Sequence, residues 1–434
     1  MAVVIGSGVD GLRAAAMLAS TGAQVQLIQE SESAHGLAHP SMPEGNGQVL
    51  VDGSFRAAAE SVMGPLASAA TPRRWVAKNG SLESLPMSRR GVAGLFAAEE
   101  LSDAGLRFLE RRVRNNLIPL TGEGQEERTY REWVVRRMGD PAYRFAYASY
   151  AQRRWGLQGD MMSVAVARAF HNPRSRPDPL VPAAGSASAI ENAVAVIENN
   201  GGEIITAANV REFVVEDGRV AAVRVGRRKI GVGDQPVWVA RTPAVTAGWL
   251  GDALSSGGHV DASCLQAHDR VRVLMQANPV VDGEEVHLLD SDVEPFRVAQ
   301  LSGHPGCIAI DLTVSPFEPD PDVEELAGVV RRLGWVDADP TTARVERHHE
   351  WVPLWAPVVH PRLRRLSLAF RALGVAPVGR RGTFAPIGIG TELMLAARYA
   401  GDPDPDQREA MRVLLAPPVK DEDLDASFRD FIWQ

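Results

Sequence analysis

The clearest chemistry in the chain lies close to its amino terminus. Gly6-Ser7-Gly8-Val9-Asp10-Gly11 is a G-x-G-x-x-G run. Glycines at that spacing suit a phosphate cradle: the first permits a tight turn, the second lets backbone approach a pyrophosphate, and the third lets a helix pack closely on its strand. A helix opening there adds free N–H groups and a partial positive charge. Further on, Gln29-Glu30 stands where an acidic side chain commonly accepts hydrogen bonds from a ribose diol. Side chains alternate along a strand, so Val25, Leu27 and position 29 share a face. The position with the right parity therefore holds a neutral amide, and Glu30 comes one residue late. Gln29 can still bond a diol, though with roughly half the strength of a charge-assisted contact.

Other reactive residues form weaker patterns. Cys264 and Cys307 are the two cysteines; they make no CxxC pair, which excludes a disulfide framework and a zinc ribbon and fits a reducing cytoplasm. His348, His349 and Glu350 are consecutive, and neighbours on a strand point to opposite faces, so joint metal ligation is not expected. Gly6-Ser7-Gly8 is not the G-x-S-x-G of a nucleophile elbow.

The elements that must position the cradle can be read around it. Residues 2–5 are a short apolar strand, buried on both faces as parallel strands are. Residues 12–20 place Leu12, Ala15, Ala16 and Ala19 at helical spacing, and residues 24–28 read as a second strand. Strand, helix and strand within about thirty residues is the context a dinucleotide fingerprint requires. Residues 57–176 are rich in Ala, Leu, Arg and Glu with helical periodicity, clearest over 101–117 and 130–138, and predict a helical insertion. The β-α-β pattern resumes with a helix over 186–199 and a strand over 203–206. A hairpin follows over 209–225, turning at Glu216-Asp217-Gly218, then a strand over 236–240. Strand-like runs at 271–276, 286–289, 297–301, 307–314 and 343–347 predict an antiparallel sheet in a second domain. Residues 384–400 read as a glycine-led turn and apolar helix, and the tail from 402 is acidic and proline-rich.

Composition narrows the partners. The chain has 434 residues, 45% hydrophobic and 23% charged, which excludes a disordered or fibrous protein. Its net charge of −8 argues against nucleic acid. No apolar run reaches the roughly 18 residues that a spanning helix needs, and the first apolar stretch lacks the basic flank of a signal peptide. A cytoplasmic location is expected.

Several ordered segments together resemble the flavoprotein superfamily of amine oxidases, protoporphyrinogen oxidases and UDP-galactopyranose mutases. VVIGSGVDGLRAAAMLASTGAQVQLIQE is similar to its dinucleotide fingerprint, and YAQRRWGLQGDMMSVAVARAF to its Y-x-x-K-x-W-G region. LVPAAGSASAIENAVAVIENNGGEIITAANVREFVVEDGRVAAV is similar to the segment that completes the FAD site. HLLDSDVEPFRVAQLS resembles the pF-x-R strand, and VGRRGTFAPIGIGTELMLAARYA the closing G-R-x-G motif. The resemblance implies an α/β fold: a discontinuous Rossmann-like FAD-binding domain (1–56, 180–247 and 363–400), a helical insertion (57–179), a second α+β substrate domain (248–362) and a tail (401–434). It implies FAD as cofactor. Gly6, Gly8 and Gly11 would cradle its pyrophosphate, with Gln29 and Glu30 near the ribose and Val210 bonding the adenine through its backbone. Gly379, Arg380 and Gly382 would lie beside the flavin, and Gly388 would open the last helix. Trp155, Arg297 and Trp355 are the substrate-pocket candidates, in a pocket expected between the dinucleotide domain and the second sheet.

The implied activity is hydride transfer from a small molecule, hydrophobic ones included, to flavin N5. The sequence also departs from the family pattern. Its second motif is reduced to His35-Gly36-Leu37-Ala38, Asp52-Gly53-Ser54-Phe55 replaces the mutase-type G-P-H, Gly388 stands where an aspartate is expected, and no lysine has amine-oxidase context. A non-catalytic homologue acting as a binding or scaffold subunit, meeting a protein partner through the insertion or tail, is therefore the alternative. A flavin-dependent sugar mutase is the third reading.

Overall fold

The computed structural model of the chain describes residues 1–6, 8–30, 56–68, 74–78, 81–84, 127–138, 140, 143–171, 180–277, 285–290, 293–300, 306–332, 334, 336 and 343–384. The expectations for residues 35–38, 52–55, 101–117, Gly388 and the tail lie outside the described residues. The chain divides into two compact units, Met1–Ala70 with Ala169–Gln266 and Val358–Gln434, and Thr71–Arg168 with Ala267–Pro357.

The first unit is organised by a five-stranded parallel sheet in the order β17-β11-β1-β2-β7, where β1 is Ala2–Gly6, β2 Val25–Gln29, β7 Glu203–Ile205, β11 Val237–Ala240 and β17 Val375–Pro377. β1 lies between β2 and β11, and its Ala-Val-Val-Ile-Gly sequence is wholly buried, as a central parallel strand must be when both faces are covered. Helix α1 (Val9–Ser20) follows β1. It packs against α2 (Arg56–Met63) and α6 (Gly185–Asn199). A three-stranded antiparallel sheet, β8 (Val210–Glu216), β9 (Arg219–Val225) and β10 (Arg228–Gly231), turns first at Asp217 and Gly218, both at positive φ. That is the two-residue turn whose twist suits a hairpin. β3 (Leu66–Ser68) pairs with β6 (Leu180–Pro182). Helices α7 (Pro243–Leu250), α8 (Ser256–Ser263), α10 (Val359–Ala372) and the short α11 (Gly379–Thr383) complete the unit.

The second unit is built on a seven-stranded sheet, β16-β12-β15-β14-β13-β4-β5. Its strands are β4 (Arg74–Lys78), β5 (Ser81–Ser84), β12 (Ala267–Gln276), β13 (Glu285–Leu288), β14 (Arg297–Gln300), β15 (Cys307–Val314) and β16 (Ala343–Pro353). Alternation along these strands sorts the side chains by face. Val271, Val273, Met275, Val286, Val298, Ile308, Ile310 and Leu312 form the core with Leu326, Val329 and Val330 of α9 (Val323–Arg332). The residues between them, including Arg272, Glu285, Arg297 and Asp311, make the opposite face polar. Helices α3 (Tyr130–Met138) and α4 (Ala148–Trp155) belong to this unit, and α5 (Val164–His171) spans the division.

Two expectations need correction. The stretch expected to be a helical insertion, 57–179, also contains β3, β4 and β5. These strands are three to five residues long, too short to show a period; β3 and β4 gain their conformation from partners distant in sequence, β6 and β13, and β5 adds to β4. The second sheet is mixed rather than antiparallel, because β4 runs parallel to β13.

Candidate functional site

The chain leaves β1 toward β2 on one side, and β11 lies on the other. In an open parallel sheet, such a switch point leaves a crevice beyond the carboxyl ends of the strands, where ligands bind. Gly6 ends β1 at that edge. A Cβ on Gly6 would stand 2.9 Å from the Gly11 Cα, and a Cβ on Gly11 would stand 2.9 Å from the Gly6 Cα. Any larger residue at either position would push α1 off the strand. Gly8 precedes α1 in extended conformation, and no side chain caps the helix from that position. The three glycines singled out from the sequence are thus brought together, with the amino end of α1 among them.

Gln29 and Glu30 are both at this edge, and both meet other groups of the protein there. Gln29 is fully buried, and its amide Nε2 donates to the Gly8 carbonyl at 3.3 Å. It pins the glycine loop from within. β2 ends at Gln29, the Glu30 N–H donates to the Gly6 carbonyl at 3.0 Å, and the Glu30 carboxylate meets Arg241 Nε at 3.1 Å. The acid that came one residue late therefore stands beyond the strand end, beside the basic residue that follows β11. Val210 is buried at the start of β8, opposite Val225.

The structure adds an ion pair that sequence reasoning missed. Arg381 Nη2 donates to Asp10 Oδ1 at 2.8 Å and Nε to Oδ2 at 3.3 Å, and both residues are buried. Asp10 Oδ1 also accepts the Gly11 N–H at 3.1 Å. Burial pushes the Asp10 carboxyl up, but the charge and hydrogen bonds of Arg381, with help from Arg13, hold it below its ordinary range. A Cβ on Gly8 would come within 3.0 Å of Arg381 Nη2, so the guanidinium covers the bare face of the cradle's second glycine. The two partners are 371 positions apart, and no local spacing signals their meeting.

The closing glycines explain how Arg381 arrives there. Gly379 has φ +68°, and a Cβ on it would lie 2.7 Å from the Asp10 Cβ; one on Gly382 would collide with the Val239 carbonyl of β11. Both are small because α11 lies directly against Asp10 of α1 at one glycine and against β11 at the other. Arg380, the expected flavin neighbour, is half-buried, whereas its successor Arg381 turns toward Gly8.

In the second unit, Arg297 is buried and fully engaged. Its Nε donates to Asp311 Oδ2 at 2.7 Å and its Nη1 to Glu285 Oε1 at 3.0 Å. Arg272 donates to both oxygens of Asp311, at 2.7 and 3.1 Å. Burial pushes the Asp311 carboxyl up, yet Arg272 and Arg297 outweigh it and hold the group well below the usual carboxylate range. Trp155 is half-buried, with the Arg154 guanidinium 5.2 Å from the ring centroid, while Trp355 is only 2% exposed. Of the three pocket candidates, only Trp155 keeps an accessible side chain. The His348 ring meets Trp351 at a 53° tilt, 5.7 Å between centroids, as His349, exposed, meets Asp269 at 3.0 Å, so the adjacent histidines diverge. Among the described residues no helix is long and apolar enough to cross a membrane.

Comparison with solved structures identifies this architecture. A protein described as a protoporphyrinogen oxidase from Exiguobacterium sp. 255-15 superposes with a TM-score of 0.65 at 15% identity, covering 92% of this chain and 97% of that one. Reduced UDP-galactopyranose mutase gives 0.69 at 11% identity, covering 99% of both chains. Cyclohexylamine oxidase from Brevibacterium oxydans IH-35A gives 0.59 at 14% identity, covering 96% and 98%. No family model and no curated protein sequence matches the chain. These structures are of the three enzyme types that the sequence resembles, and the likeness is one of fold: an α/β architecture shared by oxidases and a mutase.

Proposed function

We propose that the chain is an FAD-dependent oxidoreductase of the amine oxidase/protoporphyrinogen oxidase type, acting on a small-molecule substrate. The observation that carries this reading is the Gly6–Gly11 contact at the carboxyl end of β1, between β2 and β11. Side chains at those two glycines would separate strand from helix, and the spacing has a chemical use when a diphosphate lies against the helix end. The residues fit such a group. Gly6, Gly8, Gly11 and the amino end of α1 would hold the diphosphate, with the Arg381 cation beside Gly8. Glu30 is the ribose candidate, with Gln29 holding the loop shape, and Val210 the adenine contact. Gly379, Arg380 and Gly382 would flank the flavin.

Bound flavin supplies a two-electron acceptor for a hydride leaving a substrate C–H or N–H bond; the protein supplies orientation and a dry site. Within the second unit, Trp155 offers a ring for substrate to pack on. Arg297, held by Glu285 and Asp311, would shape the charge of the polar sheet face without touching substrate.

One observation favours the alternative, a flavin-free binding subunit. The Asp10 carboxylate already stands in the first turn of α1 and accepts the Gly11 N–H, so an internal anion partly satisfies the end that a phosphate would seek. The absorbance of freshly purified protein separates the readings. Visible oxidised-flavin absorbance, present at isolation or acquired with added FAD, supports the oxidoreductase; a colourless protein that takes up no FAD defeats it. Anaerobic bleaching by amines or porphyrinogens then distinguishes a dehydrogenase from a mutase.

A further inference from the structure

Arg270 lies on β12 two residues before Arg272, on the polar face of the second unit's sheet. It is only 7% exposed. Its Nη2 donates to the Arg154 carbonyl at 3.2 Å, and its guanidinium carbon stands 4.4 Å from the Phe296 ring centroid. Nε has no acceptor, and among the described residues no carboxylate pairs with this arginine. The nearby acids are engaged elsewhere: Asp311 by Arg272 and Arg297, Glu285 by Arg297 and His287, and Glu346 by Arg344. Burial, reinforced by the like charges of Arg154, Arg297 and Arg272 against the pull of Asp311, brings the Arg270 pKa down to about 9.

A buried cation normally has a counter-ion, because desolvation is costly. An aromatic face and one neutral carbonyl recover only part of that cost. We propose that Arg270 is an anion-binding residue that receives the carboxylate of a small organic acid, the group that completes its charge and occupies Nε. One uncompensated guanidinium matches one negative charge. Calling that acid the substrate rests on the oxidoreductase reading; the anion site itself does not.

The test titrates benzoate, benzamide and phenyl phosphate into the purified full chain, before and after loading with FAD, and follows binding calorimetrically. Benzoate is expected to bind and benzamide not to, with R270M abolishing the binding and R270K weakening it about tenfold through loss of the planar fork. R270M is also expected to melt at a higher temperature than the parent, since it removes a buried unpaired charge, which a structural arginine would not do. Absence of benzoate binding, equal binding of benzamide, stronger binding of phenyl phosphate, unchanged affinity in R270M or a lower melting temperature each overturns the proposal. A colourless chain that binds benzoate through Arg270 keeps the anion site and defeats only the flavin reading. A yellow chain that ignores benzoate does the reverse.

Discussion

Asp10 and Arg381 set the electrostatics of the glycine cradle in opposite senses. The arginine adds a cation beside Gly8, while the aspartate places an anion where phosphate would benefit from the positive helix end. Breaking a buried pair by removing one partner costs about 3–5 kcal/mol, because the other charge is left uncompensated. Asp10→Asn should therefore lower the melting temperature of flavin-free protein while tightening its binding of ADP and FAD. Calorimetric titration alongside thermal unfolding checks both; weaker ADP binding would mean that Asp10 holds Arg381 in a productive position. A second residue-scale prediction concerns pH. The folded Asp311 carboxyl titrates well below the unfolded value of about 3.9, since its arginines outweigh the effect of burial. The stability it contributes is complete above the unfolded pKa and disappears as pH falls through the folded one. Asp311→Asn should lose stability at neutral pH and flatten the acid side of a stability-against-pH curve, measured by urea unfolding. Neither ion pair was visible in the sequence: Asp10 is an unremarked x of the fingerprint, and Arg381 adjoins the arginine that the family motif pointed to. Only tertiary folding selects which of Arg380 and Arg381 turns inward.

At the scale of elements, the most legible parts were those whose own pattern is complete. β1, α1 and β2 carry strand, helix and glycine signals within one short stretch, and the 209–225 hairpin carries its turn residues. β15 was readable to its ends because Cys307-Ile-Ala-Ile-Asp-Leu-Thr-Val alternates. Less legible were β4, which pairs with the distant β13, and β5, which adds to β4, and α7 and α8, short helices without a clear apolar stripe. Parity could not foretell where the Gln29 amide goes, because β2 is buried along its whole length and that burial directs the amide to the Gly8 carbonyl. The cradle makes its own prediction at this scale. Gly11→Ala puts a methyl 2.9 Å from the Gly6 Cα, and overpacking of this kind costs about 1–3 kcal/mol. The variant should melt earlier and bind ADP more weakly, because α1 must shift away from β1. An unchanged ADP affinity would remove α1 from the site.

The whole molecule combines two units with different chemistries. One presents a glycine cradle at the switch point of a parallel sheet. The other presents a sheet with an apolar core face and a polar face carrying Arg270, Arg272, Arg297 and Asp311. The fold class was open to sequence reading because ordered motifs spread over most of the chain point to one architecture, and the solved structures share it. Substrate identity was not, because the side chains that would meet a substrate come from strands whose register only pairing determines. The most direct measurement is titration of flavin-stripped full-length protein with FAD, in parallel with Gly8→Val, whose side chain would cover the cradle where Arg381 already approaches. Saturable FAD binding by the parent and its loss in the variant is the predicted result. Failure of the parent to bind FAD, or equal binding by Gly8→Val, would contradict it.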